Sequence, residues 1–115
     1  MGLAVILGAF GAHALAEKLD PHQLTSYRTG VSYHFTHSIA ILIIGVLSLH
    51  LDERKLRWPV ILLGMGILFF SGSIYLLNTA HLTGLPKAFL GPITPLGGIL
   101  FISGWFLLAY QIYKK

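Results

Sequence analysis

The chain has 115 residues, 55% of them hydrophobic and 10% charged, with a net charge of +4 and no cysteine. It is too short for two ordinary domains and too apolar for a soluble one, so an integral membrane protein is expected. Disulfides and thiol nucleophiles are excluded. The basic charge lies in links and tail, where it reports membrane orientation rather than nucleic-acid binding.

Charged residues divide the chain into four apolar segments, Met1–Leu15, Phe35–Leu51, Pro59–Asn78 and Pro95–Tyr113. About 20 helical residues cross a hydrocarbon core of about 30 Å. The third and fourth segments reach that length, and the second does so with its Tyr33-His34 flank. The first is short; it is read as continuing through Ala16, as a span of little tilt, or as the sign of a start codon placed too far downstream. A cleaved signal peptide ending at Ala12-His13-Ala14 is the competing reading, but no Lys or Arg supplies its positive n-region. Ala4, Gly8, Ala12 and Ala16 put small residues at every fourth position. Such residues let backbones approach closely where lipid removes the hydrophobic drive for association.

Asp20-Pro21 is a helix start: the carboxylate caps, and proline lacks only an N–H that would be unpaired anyway. Leu24, Tyr27, Val31 and Phe35 follow at helical spacing. They predict a short amphipathic interfacial helix leading into the second span, with an ordinary solvated helix as the alternative.

The second span opens on "YHFTHS", Tyr33 to Ser38. A charge centred in lipid costs about 2.5–3.5 kcal/mol on insertion scales, so polar groups there face protein or water. A 3-4-3-4 spacing sets His34, His37, Ile41, Ile44 and Ser48 on one seam. His37 is expected to lie deeper, paired with Tyr75, Asn78 or Thr94, and His34 nearer water. Gly64, Leu68, Ser71, Tyr75 and Asn78 make the equivalent seam of the third span. In "GPITPLGG", Gly91 to Gly98, Thr94 is expected to cap the fourth helix and Pro95 to open it; a re-entrant entry is the alternative. Gly97, Phe101, Gly104, Leu108 and Gln111 form the fourth seam.

The expected fold is an all-α integral membrane four-helix bundle of up-down topology, one domain over residues 1–115 with spans near 1–16, 33–51, 59–79 and 95–113. Arg54, Lys55, Arg57, Lys114 and Lys115 lie on one side of it and Lys18, Arg28 and Lys87 on the other. The excess predicts that both termini are cytoplasmic. His13, His34, His37, Ser71, Tyr75, Asn78, His81 and Thr94 then gather near the outer face as a candidate polar cluster. Histidine, tyrosine and asparagine at helix ends are also ordinary interfacial residues. Ala4, Gly8, Ala12, Gly64, Gly97 and Gly104 are the candidate packing positions, with Gly64 or Gly97 expected against the first span.

"GAFGAHAL" (Gly8–Leu15), the Tyr33 and His37 pair, "FSGSIYLL" (Phe70–Leu77), "GPITPLGG" and Gly104-Trp105 occur in order along nearly the whole chain. Together they resemble the bacterial membrane family called domain of unknown function 423, whose animal relative is transmembrane protein 256. The resemblance implies a small multi-span inner-membrane protein of undetermined biochemical role. It matches His13 and His37 to expected histidines, whereas the position of His34 is more often glutamine. It also implies extra residues before the first glycines.

Chemistry is limited by the inventory. Glu17, Asp20, Asp52 and Glu53 all lie in links, so no embedded carboxylate serves proton-coupled cation export of the small multidrug-resistance kind, and only histidine could do that proton work. His34 and His37 have usable ligand spacing, but no His-Glu-x-x-His sequence or in-span carboxylate completes a metal site. An axial haem pair of His37 with His81 has no further support. Ser71 and Ser73 lack a nucleophile elbow. No catalytic residue, cofactor or metal is therefore expected. Two functions remain: a non-catalytic membrane component that binds lipid or partner helices, those of a homo-oligomer or of a partner membrane protein, or a small transporter or ligand-binding protein using the outer cluster. Neither involves nucleic acid, and both place the chain in the bacterial plasma membrane.

Overall fold

The computed structural model describes residues 1–80, 84 and 87–114, which leaves the expected site residue His81 outside the described set. Its elements are helical: α1 (Gly2–His13), α2 (Pro21–Leu47), α3 (Glu53–Gly66), a π-helical turn (Ile67–Ser71), α4 (Gly72–Asn78), α5 (Lys87–Leu90) and α6 (Ile93–Lys114). Three stretches, Pro21–Leu47, Glu53–Asn78 and Ala88–Lys114, are long and apolar enough to cross a membrane. Their surfaces are apolar: Leu42, Leu68 and Phe106 are 67%, 61% and 73% exposed.

The start of α2 follows from its sequence. Asp20 Oδ1 accepts from the Gln23 amide at 2.7 Å, and the Asp20 amide donates to Gln23 Oε1 at 3.1 Å, a complete capping box with Pro21 in the first turn. The helix then runs unbroken for 27 residues, about 40 Å at 1.5 Å per residue. The segment expected as a separate interfacial helix is the first turns of this one. Asp52 caps α3 by accepting from the Arg54 amide at 3.0 Å. That amide, with the Arg54 guanidinium, holds its carboxyl below the usual carboxylate range.

α1 lies along the first half of α2 rather than against the Gly64 or Gly97 neighbourhoods expected for it. Ala4 is fully buried, Gly11 abuts the Tyr27 ring, and a β-carbon on Gly8 would stand 3.3 Å from Val31. The Tyr27 hydroxyl donates to the Leu7 carbonyl at 2.8 Å. The inward positions are thus 4, 8, 11 and 15, and Ala12 is exposed. A strict four-residue step advances about 400°, so each step drifts about 40° round the helix. By Ala12 that drift has carried the stripe off the contact.

α3 with α4 runs antiparallel to α6, and glycines set the contact. A β-carbon on Gly104 would meet Leu63, one on Gly66 would meet the Phe101 ring, and one on Gly97 would strike the Phe70 backbone. The buried face of α3 is Leu56, Pro59, Leu63 and Gly66, whereas Leu68 is exposed and Gly64 stands in open space. The expected seam holds from Ser71 to Asn78 and fails before it, because the π turn accommodates one extra residue and so rotates the preceding helix. The main core is Ala40, Ile44, Leu56, Leu63, Phe101 and Leu108, with a second cluster of Leu15, Leu19 and Tyr27 under the α1–α2 link.

Candidate functional site

The buried face of α2 is Tyr27, Gly30, His34, His37, Ala40 and Ile44. This 3-4-3-3-4 progression brings each polar group opposite a partner on a neighbouring helix. Nearest the helix start, Asn78 Nδ2 donates to Ser26 Oγ at 3.0 Å and to the Ile74 carbonyl at 2.9 Å. One turn on, Ser71 Oγ donates to the Gly30 carbonyl at 2.8 Å; Ser71 is fully buried. A further turn in, His34 Nδ1 and the Tyr75 hydroxyl lie 2.9 Å apart.

His37 is tied twice. Its Nδ1 is 2.8 Å from the Tyr33 carbonyl, and its Nε2 is 3.0 Å from Trp105 Nε1. A carbonyl only accepts and an indole N–H only donates, so the imidazole carries its proton on Nδ1 and accepts at Nε2. Its ring stacks on Phe101 with centroids 3.7 Å apart. The partner expected for it from Tyr75, Asn78 or Thr94 is thus replaced by Trp105 and a backbone carbonyl. Nor is His34 the more watery of the two, since both histidines are 6% exposed.

The other expected members separate. His13 is exposed at the end of α1. Thr94 lies inside the first turn of α6, which begins at Ile93, and its hydroxyl pairs with Ser73 instead of capping the helix. Sequence reasoning missed Ser26, Tyr27, Ser73 and Trp105. Ser26, Gly30, His34 and His37 already share a face by spacing, a signal that was available; Trp105 stands out only in the Gly104-Trp105 motif, since spacing puts it one residue beyond the Gly104 seam. Among the described residues no group of three His, Asp or Glu side chains gathers as a metal set.

An apolar groove of about 380 Å3 opens between α1 and the α3–α4 helix, lined by Leu3, Leu7, Gly64, Leu68, Gly72 and, at its floor, His34 and Tyr75. Gly64 and Gly72 face it without any atom within 4 Å of a built β-carbon.

Long apolar helices joined by an internally paired polar seam define a small helical membrane protein. Residues 7–98 match the family described as "Protein of unknown function (DUF423)", and the chain belongs to that family. It is 41% identical to a UPF0382 membrane protein of Staphylococcus aureus over 97% of this chain and 87% of the relative. It is 37% identical to the UPF0382 membrane protein YwdK of Bacillus subtilis over 97% of this chain and 88% of that one. A UPF0382 membrane protein of the fission yeast Schizosaccharomyces pombe is 41% identical over 90% of this chain and 86% of its own. No solved structure matches.

Proposed function

We propose that this chain is a non-catalytic, four-span component of the bacterial plasma membrane, with both termini cytoplasmic, that binds lipid or partner helices. One observation carries the reading. Each polar side chain facing inward from α2 is tied to a group on a neighbouring helix, and no buried side-chain nitrogen or oxygen among the described residues lacks a partner. A transport path needs polar groups that exchange partners with a passing solute; here they fasten helices. Buried polar networks that are fully satisfied rigidify and specify a packing. α1 serves as the first span in this reading, and the excess of Lys and Arg in the α2–α3 link and the tail orients the bundle.

Native mass spectrometry of the chain released from lipid nanodiscs tests the proposal. The expected spectrum carries phospholipid adducts or defined oligomers. Binding of a metal ion or haem in fixed stoichiometry would replace it with a cofactor protein.

A further inference from the structure

The groove between α1 and the α3–α4 helix has one polar feature, and it is not idle packing. His34 is 94% removed from the surface by its 6% exposure, yet it lines the groove. Its Nδ1 is taken by the Tyr75 hydroxyl, which has no other acceptor among the described residues. The phenol therefore donates to Nδ1, and the imidazole proton sits on Nε2. Nε2 has no partner among the described residues, and since no buried side-chain nitrogen there is unsatisfied, that atom keeps some exposure. The opening that His34 lines is this groove, walled by Leu3, Leu7, Leu68 and two side-chain-free glycines.

We propose that this groove seats one acyl chain of a membrane phospholipid, with the ester carbonyl accepting from His34 Nε2. Three observations select that occupant. The wall is apolar, which suits a hydrocarbon chain. The volume is about 380 Å3, whereas a helix about 10 Å across and 18 Å long, the length of α1, would displace about 1,400 Å3. The donor also lies at the right depth. With the exposed, charged Arg28 at the membrane surface in the proposed orientation, His34 lies six residues further in, about 9 Å along the axis. Ester carbonyls hang just below the headgroups at that level.

The inference rests on the lipid-binding reading above and deepens it. Its test uses the whole chain in nanodiscs of diester phosphatidylglycerol or of the matching diether lipid, which lacks the carbonyl, with retained lipid read by native mass spectrometry. Wild type should hold the diester about three- to eighteenfold more strongly than the diether, the range of one hydrogen bond between partners in a membrane. His34→Phe keeps the bulk and should erase that preference. Gly72→Leu fills the groove at a position with room for a side chain, so it should fold and lose both lipids. Equal retention of diester and diether by wild type would overturn the carbonyl contact and the proposal with it. Lipid held undiminished by Gly72→Leu would overturn the groove as the seat while leaving lipid binding intact. A dimer abolished by Gly72→Leu, with no lipid retained, would give the groove to a second copy. No bound lipid or oligomer in any sample would overturn both readings.

Discussion

His37 shows what a single polar residue does in this protein. Donor-only Trp105 and the acceptor-only Tyr33 carbonyl fix one tautomer, and the Phe101 ring beneath fixes its plane. A proton added at Nε2 would set two N–H groups against each other, so the arrangement acts as a fastener between α2 and α6. Interhelical hydrogen bonds in membranes average about 0.6 kcal/mol and reach about 1.7. His37→Phe should cost about 1–3 kcal/mol, because it leaves the indole N–H of Trp105, a side chain itself 40% exposed, without its acceptor. A double-mutant cycle with Trp105→Phe, followed by unfolding in detergent, should give a coupling of about 0.6 kcal/mol or more. Additive single and double variants would show that the two side chains are neighbours without being partners. The histidines themselves were legible, since spacing alone put His34 and His37 on the inward seam. Their partners were not: which hydroxyl or indole meets a ring depends on the rotation of the facing helix, and that rotation is a property of the packed state.

At the scale of elements, the π turn of Ile67–Ser71 decides how the third helix meets its neighbours. Read as an uninterrupted α-helix, the sequence turns Gly64 and Leu68 inward with Ser71, Tyr75 and Asn78; one extra residue in the turn brings Leu63 and Gly66 inward instead. Nothing in the composition of "ILFFS" announces a wider turn. In the fourth helix Gly97, Phe101, Gly104 and Leu108 are buried as spacing predicts, whereas Gln111 of the same seam is only half-buried and Thr94 lies inside the helix instead of capping it. At Gly97 the backbones of the two helices approach closely, since a built β-carbon there would fall on the Phe70 backbone. Gly97→Ala must therefore move backbone, and a loss at or above the roughly 1–3 kcal/mol of ordinary overpacking is expected. Gly98→Ala, one residue along and facing open space, should leave the melting temperature unchanged or slightly raised. Equal effects at the two positions would mean that α6 is rotated from the geometry described. The same logic applies to α1: Gly11→Ala meets the Tyr27 ring and should destabilise, while Ala12→Gly, on the exposed face, should show only the propensity cost of about 1 kcal/mol or less. A larger loss at Ala12 would return the contact to the four-residue stripe.

The whole molecule is a set of antiparallel apolar helices whose polar pairs concentrate toward one end, from Ser26 and Asn78 through Gly30 and Ser71 to His34 and Tyr75. Membrane class and helical content were legible from composition and segment length. The depth of each pair was not, because it follows from the register between helices. In the orientation proposed above, from the Lys/Arg excess at Arg54, Lys55, Arg57, Lys114 and Lys115, that end of the bundle faces outward. The absence of native cysteine makes the assignment directly measurable. Single cysteines at Glu17, Leu49, Gly84 and Tyr113, all exposed and all in links or at the tail, are to be labelled in intact cells with a membrane-impermeant maleimide. Glu17→Cys and Gly84→Cys should label without permeabilisation, and Leu49→Cys and Tyr113→Cys only after it. Labelling of Leu49→Cys and Tyr113→Cys in intact cells, with Glu17→Cys and Gly84→Cys protected, would put the polar seam at the cytoplasmic face and contradict the account.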